Sequence, residues 1–212
     1  MEVIMQQTLV QEPDFTRIFL IRHASAYDES GFQADESKLN EDGIWQAEQL
    51  ANRLSEVPVD KIYSSPTLRA LETAQIVACK HKGKDISTKE GLQELMWEFW
   101  PELGHFNYDS AHQIKEKLGS EDQLKMLGAI QGKGLDILAE LYKENPGRTV
   151  FAFTHGNLVR ATISAVMKSG MRGFLSLSID LASVTILDLN DDTYRIVTVS
   201  DGSHTLSTQK SV

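Results

Sequence analysis

Two histidines stand where apolar runs end. Ile18-Phe19-Leu20-Ile21 passes directly into Arg22-His23, and Val150-Phe151-Ala152-Phe153-Thr154 passes into His155-Gly156. An imidazole in such a place can act as a nucleophile, a proton carrier or a metal ligand. Metal binding is the rival reading, but no third and fourth ligand with metal-like spacing accompanies the pair, and Arg22 beside His23 would repel a cation. An anionic ligand suits the residues better. The guanidinium of Arg22 is a planar donor fork matched to phosphate oxygens. A helix opening at Gly156 and Asn157 would turn free N–H groups and its positive dipole end toward the same place.

Arg69 is a third cation of interest. It follows a Ser64-Ser65-Pro66 turn that would aim it over the same edge, the bland alternative being a solvated helix arginine. His81, His105, His112 and His204 read as ordinary core or surface histidines.

These residues need elements to hold them. Arg17–Ile21 reads as a short buried strand, and residues 24–38 as polar and irregular. A helix follows, with Asn40 as N-cap, Ile44, Ala47, Leu50, Ala51 and Leu54 on its inner face, and Gly43 weakening its start. The run "VDKIYSSP" is a strand leading into a helix over Thr67–Cys79, with Pro66 in its first turn, Leu68, Leu71, Ile76 and Val77 as its apolar residues and Cys79 as a small core residue. "ISTKEGLQELMWEFW" begins as a strand and loses periodicity. A longer helix over Glu121–Lys143 carries Leu124, Leu127, Ile130, Leu135, Leu138 and Leu141, and "NPGR" stops it. The strand into His155, its helix and a hairpin around Asn190-Asp191-Asp192 complete the chain.

That order predicts an α/β three-layer sandwich: a mostly parallel central sheet with helices on both faces and a C-terminal antiparallel hairpin. Ligands of such sheets sit beyond the carboxyl ends of the strands, where "FLIRH" and "FAFTH" each deliver a histidine. The expected organisation is an N-terminal extension (1–16), one domain (17–204) with an insert at about 95–147, and a C-terminal tail (205–212).

Composition narrows the function classes. A 212-residue chain can bury a real core, and its net charge of −9 argues against a broad footprint for nucleic acid or an anionic membrane. Any phosphate would be held by a few focused cations. Cys79 is the only cysteine, so no internal disulfide is expected. The first residues lack the pattern of a secretory signal, and no apolar run is long enough to span a bilayer, so a cytoplasmic location is expected.

Taken together, the motifs resemble those of the histidine phosphatase superfamily, also called phosphoglycerate mutase-like. Leu20-Ile21-Arg22-His23-Ala24 stands for the family's Leu-x-Arg-His-Gly, and Leu39, Gly43, Gln46 and Ala47 match its next helix. Ser64, Ser65, Pro66, Arg69, Ala70, Thr73 and Ala74 match "SSP-x-x-R-A-x-x-T-A", and Thr154, His155, Gly156 and Arg160 match the late histidine motif. Ser183-Val184-Thr185 has a counterpart too, so the resemblance covers nearly the whole chain.

The resemblance implies a histidine acid-type phosphatase, a hydrolase of phosphoric monoesters, working without metal or other cofactor. His23 would be the nucleophile that becomes phosphorylated, with Arg22, Arg69, His155 and Gly156 holding the phosphoryl oxygens. In "GLQELMWEFW" Glu94 matches the family's general acid/base, and Glu98 is assigned to structure or the rim.

Two departures matter. Ala24 replaces the family's glycine, and the Glu-Thr and Asn expected nearby are missing. "His-Ala-Ser-Ala" is closer to the short phosphohistidine phosphatases, which usually lack a counterpart of Glu94. Residues 95–147 contain no arginine, against a mutase, while Trp97, Phe99, Trp100, Phe106 and Tyr108 either pack the insert or line a pocket for an apolar phosphomonoester.

The leading expectation is a hydrolase of small phosphomonoesters. The alternatives are a phosphohistidine or phosphoprotein phosphatase, a phosphoglycerate mutase, and an inactive phospho-ligand binding protein. The partner is a small molecule or a phosphoprotein, not nucleic acid or membrane, and monomer and homodimer are both open.

Overall fold

Strand β1 (Thr16–Arg22) lies in the middle of the molecule, and its uninterrupted apolar run follows from burial on both sides. Ile18 and Leu20 face one core while Phe19 and Ile21 face the other. The computed structural model describes residues 15–27, 36–95 and 121–208.

The elements follow in order as α1 (Glu41–Leu54), β2 (Lys61–Ser64), α2 (Leu68–Ala78), β3 (Ile86–Thr88), a 3-10 turn (Glu90–Leu92), α3 (Glu121–Glu144), β4 (Thr149–Thr154), α4 (Gly156–Val166), α5 (Met171–Ser176), β5 (Val184–Leu189), β6 (Tyr194–Asp201) and a second 3-10 stretch (Ser203–Thr208). The six strands form one sheet in the order β3-β2-β4-β1-β5-β6. The pairs β3–β2, β2–β4 and β4–β1 are parallel, whereas β1–β5 and β5–β6 are antiparallel. This is the expected mixed sheet with its terminal hairpin.

Helices cover both faces. Ala47, Leu50, Ala51 and Leu54 of α1, with Ala74 and Val77 of α2, close one core over Phe19, Ile21, Phe151 and Phe153. Leu127, Ile130, Leu138 and Leu141 of α3, Leu158, Val159 and Ile163 of α4 and Phe174 of α5 close the other over Ile18, Leu20, Val150 and Ala152. Gly134 lets α3 approach α4 closely: a Cβ there would lie 2.9 Å from the backbone of Thr162. Inside the sheet, Asp188 is buried between the guanidinium groups of Arg17 and Arg195, at 2.6 and 2.7 Å, and Arg17 is its register partner across the strands.

Several local expectations are corrected. Ile44 is 45 % exposed, and Gly43 takes the inner position one residue earlier. Gly43 does not weaken α1; it is required there, because a Cβ would lie 1.9 Å from the carbonyl oxygen of Ser25. Asn40 caps the helix as expected, its side-chain oxygen accepting from the Gly43 N–H.

Pro66 precedes the N-cap Thr67 rather than opening α2, whose buried residues are Arg69, Ala70, Thr73, Ala74 and Val77. Leu68, Leu71 and Ile76 are only half-buried. Cys79 is not in the core: it ends α2 exposed, where the helix has turned its next residue outward. Residues 24–26 are irregular but buried, not polar surface. Among the described residues no helix is long and apolar enough to cross a membrane.

Candidate active site

The parallel pairing of β1 and β4 sets Arg22 beside Thr154, so the next residue of each strand, His23 and His155, emerges at the same place. Their ring centroids are 5.1 Å apart, and the backbone N–H of His23 donates to the carbonyl of Thr154. Both are almost fully buried, at 1 % and 0 % exposure.

Each ring has one defined tautomer. His23 Nδ1 lies 2.7 Å from the carbonyl oxygen of Ala24, which can only accept, so Nδ1 carries the proton. Nε2 is left with its lone pair, and it has no hydrogen-bond partner among the described residues. Burial, reinforced by the Arg22 and Arg69 charges and opposed by the Ala24 carbonyl, lowers its pKa to about 3. His155 has the reverse tautomer. Its Nδ1 accepts from Arg69 at 3.2 Å, so its Nε2–H is donated toward Ser65 and Thr67, at 2.9 and 3.2 Å. Burial, then the neighbouring His23, Arg69 and Arg22, lower its pKa to about 2. Two neutral imidazoles therefore face each other between cations.

Arg22 is fixed by a hydrogen bond to the carbonyl of Ile179 at 2.5 Å and a longer one to the Tyr27 hydroxyl at 3.4 Å. Its buried Nε has no partner among the described residues. Gly156, the first residue of α4, is the surface on which this guanidinium rests: a Cβ there would lie 3.2 Å from Arg22 Nε. The N-terminal N–H groups of α4 open toward the same space. Arg69 arrives from the first turn of α2 and is buried against His155.

The loop after His23 is held by residues of two helices. The N–H of Ala24 donates to Thr73 Oγ1, whose own hydroxyl donates to the carbonyl of Arg69. The N–H of Ser25 donates to the Gln46 side chain, and the Ser25 carbonyl accepts from the Asn40 N–H. Asn40 also donates through Nδ2 to the Tyr27 carbonyl. The close approach at Gly43 makes that loop position possible. From the other side, the N–H of Ala182 donates to the carbonyl of His23.

Ala24 carries no conformational penalty. Among the described residues the non-glycine positions with positive φ are Lys168, Ala182 and Ser200, so the place of the missing glycine has ordinary backbone geometry. The Ala24 methyl is buried in the core beneath α1.

Glu94 follows the 3-10 turn, and that turn is tied to the site: Thr154 Oγ1 donates to the carbonyl of Leu92 at 2.7 Å. The carboxylate accepts from the Leu95 N–H at 3.0 Å. Burial raises its pKa, against the opposing effects of Arg22, the Leu95 N–H, Arg69 and the Asn157 N–H. A carboxyl group thus sits within electrostatic range of both arginines, with burial moving its pKa upward. An open depression of about 300 Å3 is lined by Glu36, Pro66, Thr67, Leu68 and Gln93, the residue that precedes Glu94.

The structure therefore brings together Arg22, His23, Arg69, Glu94, His155 and Gly156. Glu98 and the aromatic residues Trp97, Phe99, Trp100, Phe106 and Tyr108 lie outside the described residues, as do His105 and His112. His81 packs edge-on to Phe151, and His204 contacts Arg53. Sequence reasoning assigned no role to Ser65, Thr67, Thr73 or Gln46, which orient the histidines and the loop; all but Thr67 lay within motifs already noted. Among the described residues, no group of three His, Cys, Asp or Glu side chains could hold a metal ion.

A parallel-sheet edge with two neutral histidines, two arginines and a protonatable carboxyl group presents the charges and proton carriers that a phosphoryl group requires. The chain belongs to the histidine phosphatase superfamily (branch 1), whose family model matches residues 18–202. It is 32 % identical to a metal-independent phosphoserine phosphatase of Arabidopsis thaliana, over 91 % of this chain and 84 % of that one. It is 30 % identical to a 2,3-bisphosphoglycerate-dependent phosphoglycerate mutase of Thermoplasma acidophilum, over 83 % and 86 % of the two chains. The fold matches the crystal structure of a phosphoserine phosphatase from Entamoeba histolytica with a TM-score of 0.72 at 24 % identity, covering 90 % of this chain and all of that one.

Proposed function

We propose that the protein is a metal-independent phosphomonoester hydrolase that works through a phosphohistidine on His23. One observation carries this reading: the Nδ1–H of His23 is committed to the Ala24 carbonyl, which leaves an unprotonated Nε2 beside Arg22 and Arg69.

Nε2 attacks phosphorus and the P–O bond to the leaving group breaks. Arg22, Arg69 and the N–H groups of Gly156 and its neighbours hold the non-bridging oxygens, and this positioning and charge neutralisation is the main requirement of phosphoryl transfer. His155 orients Arg69 through Nδ1. Its Nε2–H exchanges the hydroxyls of Ser65 and Thr67 for a phosphoryl oxygen. Glu94 gives its proton to the departing alkoxide, then takes one from a water molecule. That water attacks phosphorus, the P–N bond breaks, and inorganic phosphate leaves with His23 neutral again. The arginines supply the positive charge, so the cycle uses no metal. The similarity to a phosphatase described as metal-independent supports this reading.

The test is turnover of an aryl phosphate by the full chain in chelator, with an alkaline quench to trap acid-labile, base-stable phosphohistidine. Wild type is expected to turn over and to retain label on His23, and His23→Ala to do neither. Turnover that survives His23→Ala would overturn the mechanism.

A phosphoglycerate mutase is the second reading, favoured by the 30 % identity to one. Interconversion of 3- and 2-phosphoglycerate faster than their hydrolysis would establish it in place of the hydrolase.

A further inference from the structure

Three parts of the site meet on Thr154, the last residue of β4. Its carbonyl accepts from the His23 N–H at 2.9 Å, its hydroxyl donates to the Leu92 carbonyl at 2.7 Å, and the next residue is His155. Alternation along β4 explains the reach of the side chain. Phe151 and Phe153 face the core beneath α1 and α2, so Val150, Ala152 and then Thr154 face the other, where Leu92 and Leu95 are also buried. A valine would suit that apolar row. A hydroxyl stands there instead, wholly buried, and a buried hydroxyl must be bonded.

The carbonyl it bonds ends the 3-10 turn Glu90–Leu92, and Glu94 stands two residues further on. Within the turn the N–H groups of Leu92 and Gln93 donate to the carbonyls of Lys89 and Glu90, at 3.1 and 3.0 Å. Those bonds use carbonyls at its start, whereas the carbonyl at its end needs a donor from elsewhere. Lys89 also bonds to Glu140 and Glu144 of α3, at 2.5 and 2.8 Å, but these carboxylates are 49 % and 42 % exposed, and ion pairs in water contribute little. The Thr154 bond is buried and is the stronger constraint.

Resting on the reading of Glu94 as general acid, we infer that Thr154 is a positioning residue for proton transfer: its hydroxyl fixes the turn that carries Glu94 relative to the two histidines. A proton donor works only when held within hydrogen-bond reach of the departing oxygen, and small misplacements cost much of the rate. A methyl in place of the hydroxyl approaches a carbonyl oxygen no closer than about 3.3 Å, so Thr154→Val both removes the bond and displaces the turn by roughly half an ångström. The backbone bond to His23 is kept, so attack on phosphorus is spared.

Dependence on the leaving group tests this. In full-length chains, kcat/KM is measured on substituted phenyl phosphates from the 4-nitrophenyl to the 4-methoxyphenyl ester. Thr154→Val is expected to lose roughly ten-fold on the methoxyphenyl ester and less than about two-fold on the nitrophenyl ester, a steepening that a merely structural role would not produce. Thr154→Ser, which keeps the hydroxyl, restores the wild-type dependence. In a Glu94→Gln chain the same valine has no further effect. A thermal melt checks each fold, with Thr154→Ala read the same way should the valine variant misfold. An equal loss on all esters, no loss, or a loss that adds to that of Glu94→Gln overturns the assignment. A steep dependence in Glu94→Gln without one in Thr154→Val overturns this inference alone, whereas an unchanged dependence in Glu94→Gln overturns the acid role and this inference with it.

Discussion

His23 and His155 stand with ring centroids 5.1 Å apart although they are 132 positions apart in the sequence, because Arg22 and Thr154 are register partners in adjacent parallel strands. A one-residue slip of either strand would turn one histidine into the core beneath the helices. The same pairing leaves both rings buried and neutral, and several measurable consequences follow from it.

Stability should depend on pH through these two residues. Their folded-state pKa values of about 3 and about 2 lie below the ordinary 6.5, so below pH 6.5 the unfolded chain takes up protons that the fold does not. Their stabilisation is fully present above pH 6.5 and is lost as the pH falls. Between pH 7 and pH 5 each histidine should account for about 2 kcal/mol of lost stability. Urea unfolding of His23→Gln at both pH values should recover that amount.

Glu94 should matter in proportion to the leaving group. Glu94→Gln is expected to lower kcat/KM, which reports formation of the phosphohistidine and not its hydrolysis, by roughly a hundred-fold or more on alkyl phosphates, and far less on a nitrophenyl ester whose leaving group needs no proton. Because burial raises the Glu94 pKa, the wild-type alkaline limb should lie above the ordinary carboxylate range and be absent in the variant. An equal loss on both esters would remove Glu94 from the acid role.

Gly156→Ala should separate affinity from stability. The added methyl would meet Arg22 Nε at 3.2 Å and push the guanidinium by a few tenths of an ångström, while the helix gains from alanine. Phosphate affinity measured by calorimetry should fall roughly five-fold, given that charge-assisted bonds depend on such distances, with the melting temperature unchanged or higher.

Ala24→Gly should not improve the enzyme, despite restoring the residue usual in the family. The site has ordinary φ and the methyl is buried, so the glycine should cost about 1–2 kcal/mol in unfolding free energy and leave kcat/KM within two-fold. A marked rise in kcat/KM would mean that the methyl does restrict the pocket.

Much of this was open to inspection in the chain itself. Continuous apolar runs identified β1 and β4 as buried on both faces, and the histidines at their ends identified the edge where chemistry could occur. Asn40 was legible as a cap from its type and place. Glycines were harder to read, because their value lies in what approaches them. Gly43 looks like a weak helix residue until the Ser25 carbonyl is seen against it. Ile44 and Cys79 failed for a related reason: one residue of helical phase decides which side is buried, and residue type does not report phase.

Residue types and order thus determined by themselves the α/β architecture, the pair of strand-end histidines and the arginines able to accompany them, since burial pattern and chemical identity are local properties. Tertiary structure alone decided the tautomers of His23 and His155, the seat of Arg22 on Gly156, the anchoring of the loop by Gln46 and Thr73, and the placing of the Arg160 charge over the Phe174 ring. Those depend on which donor meets which acceptor across the fold, and distance in the sequence carries no record of it.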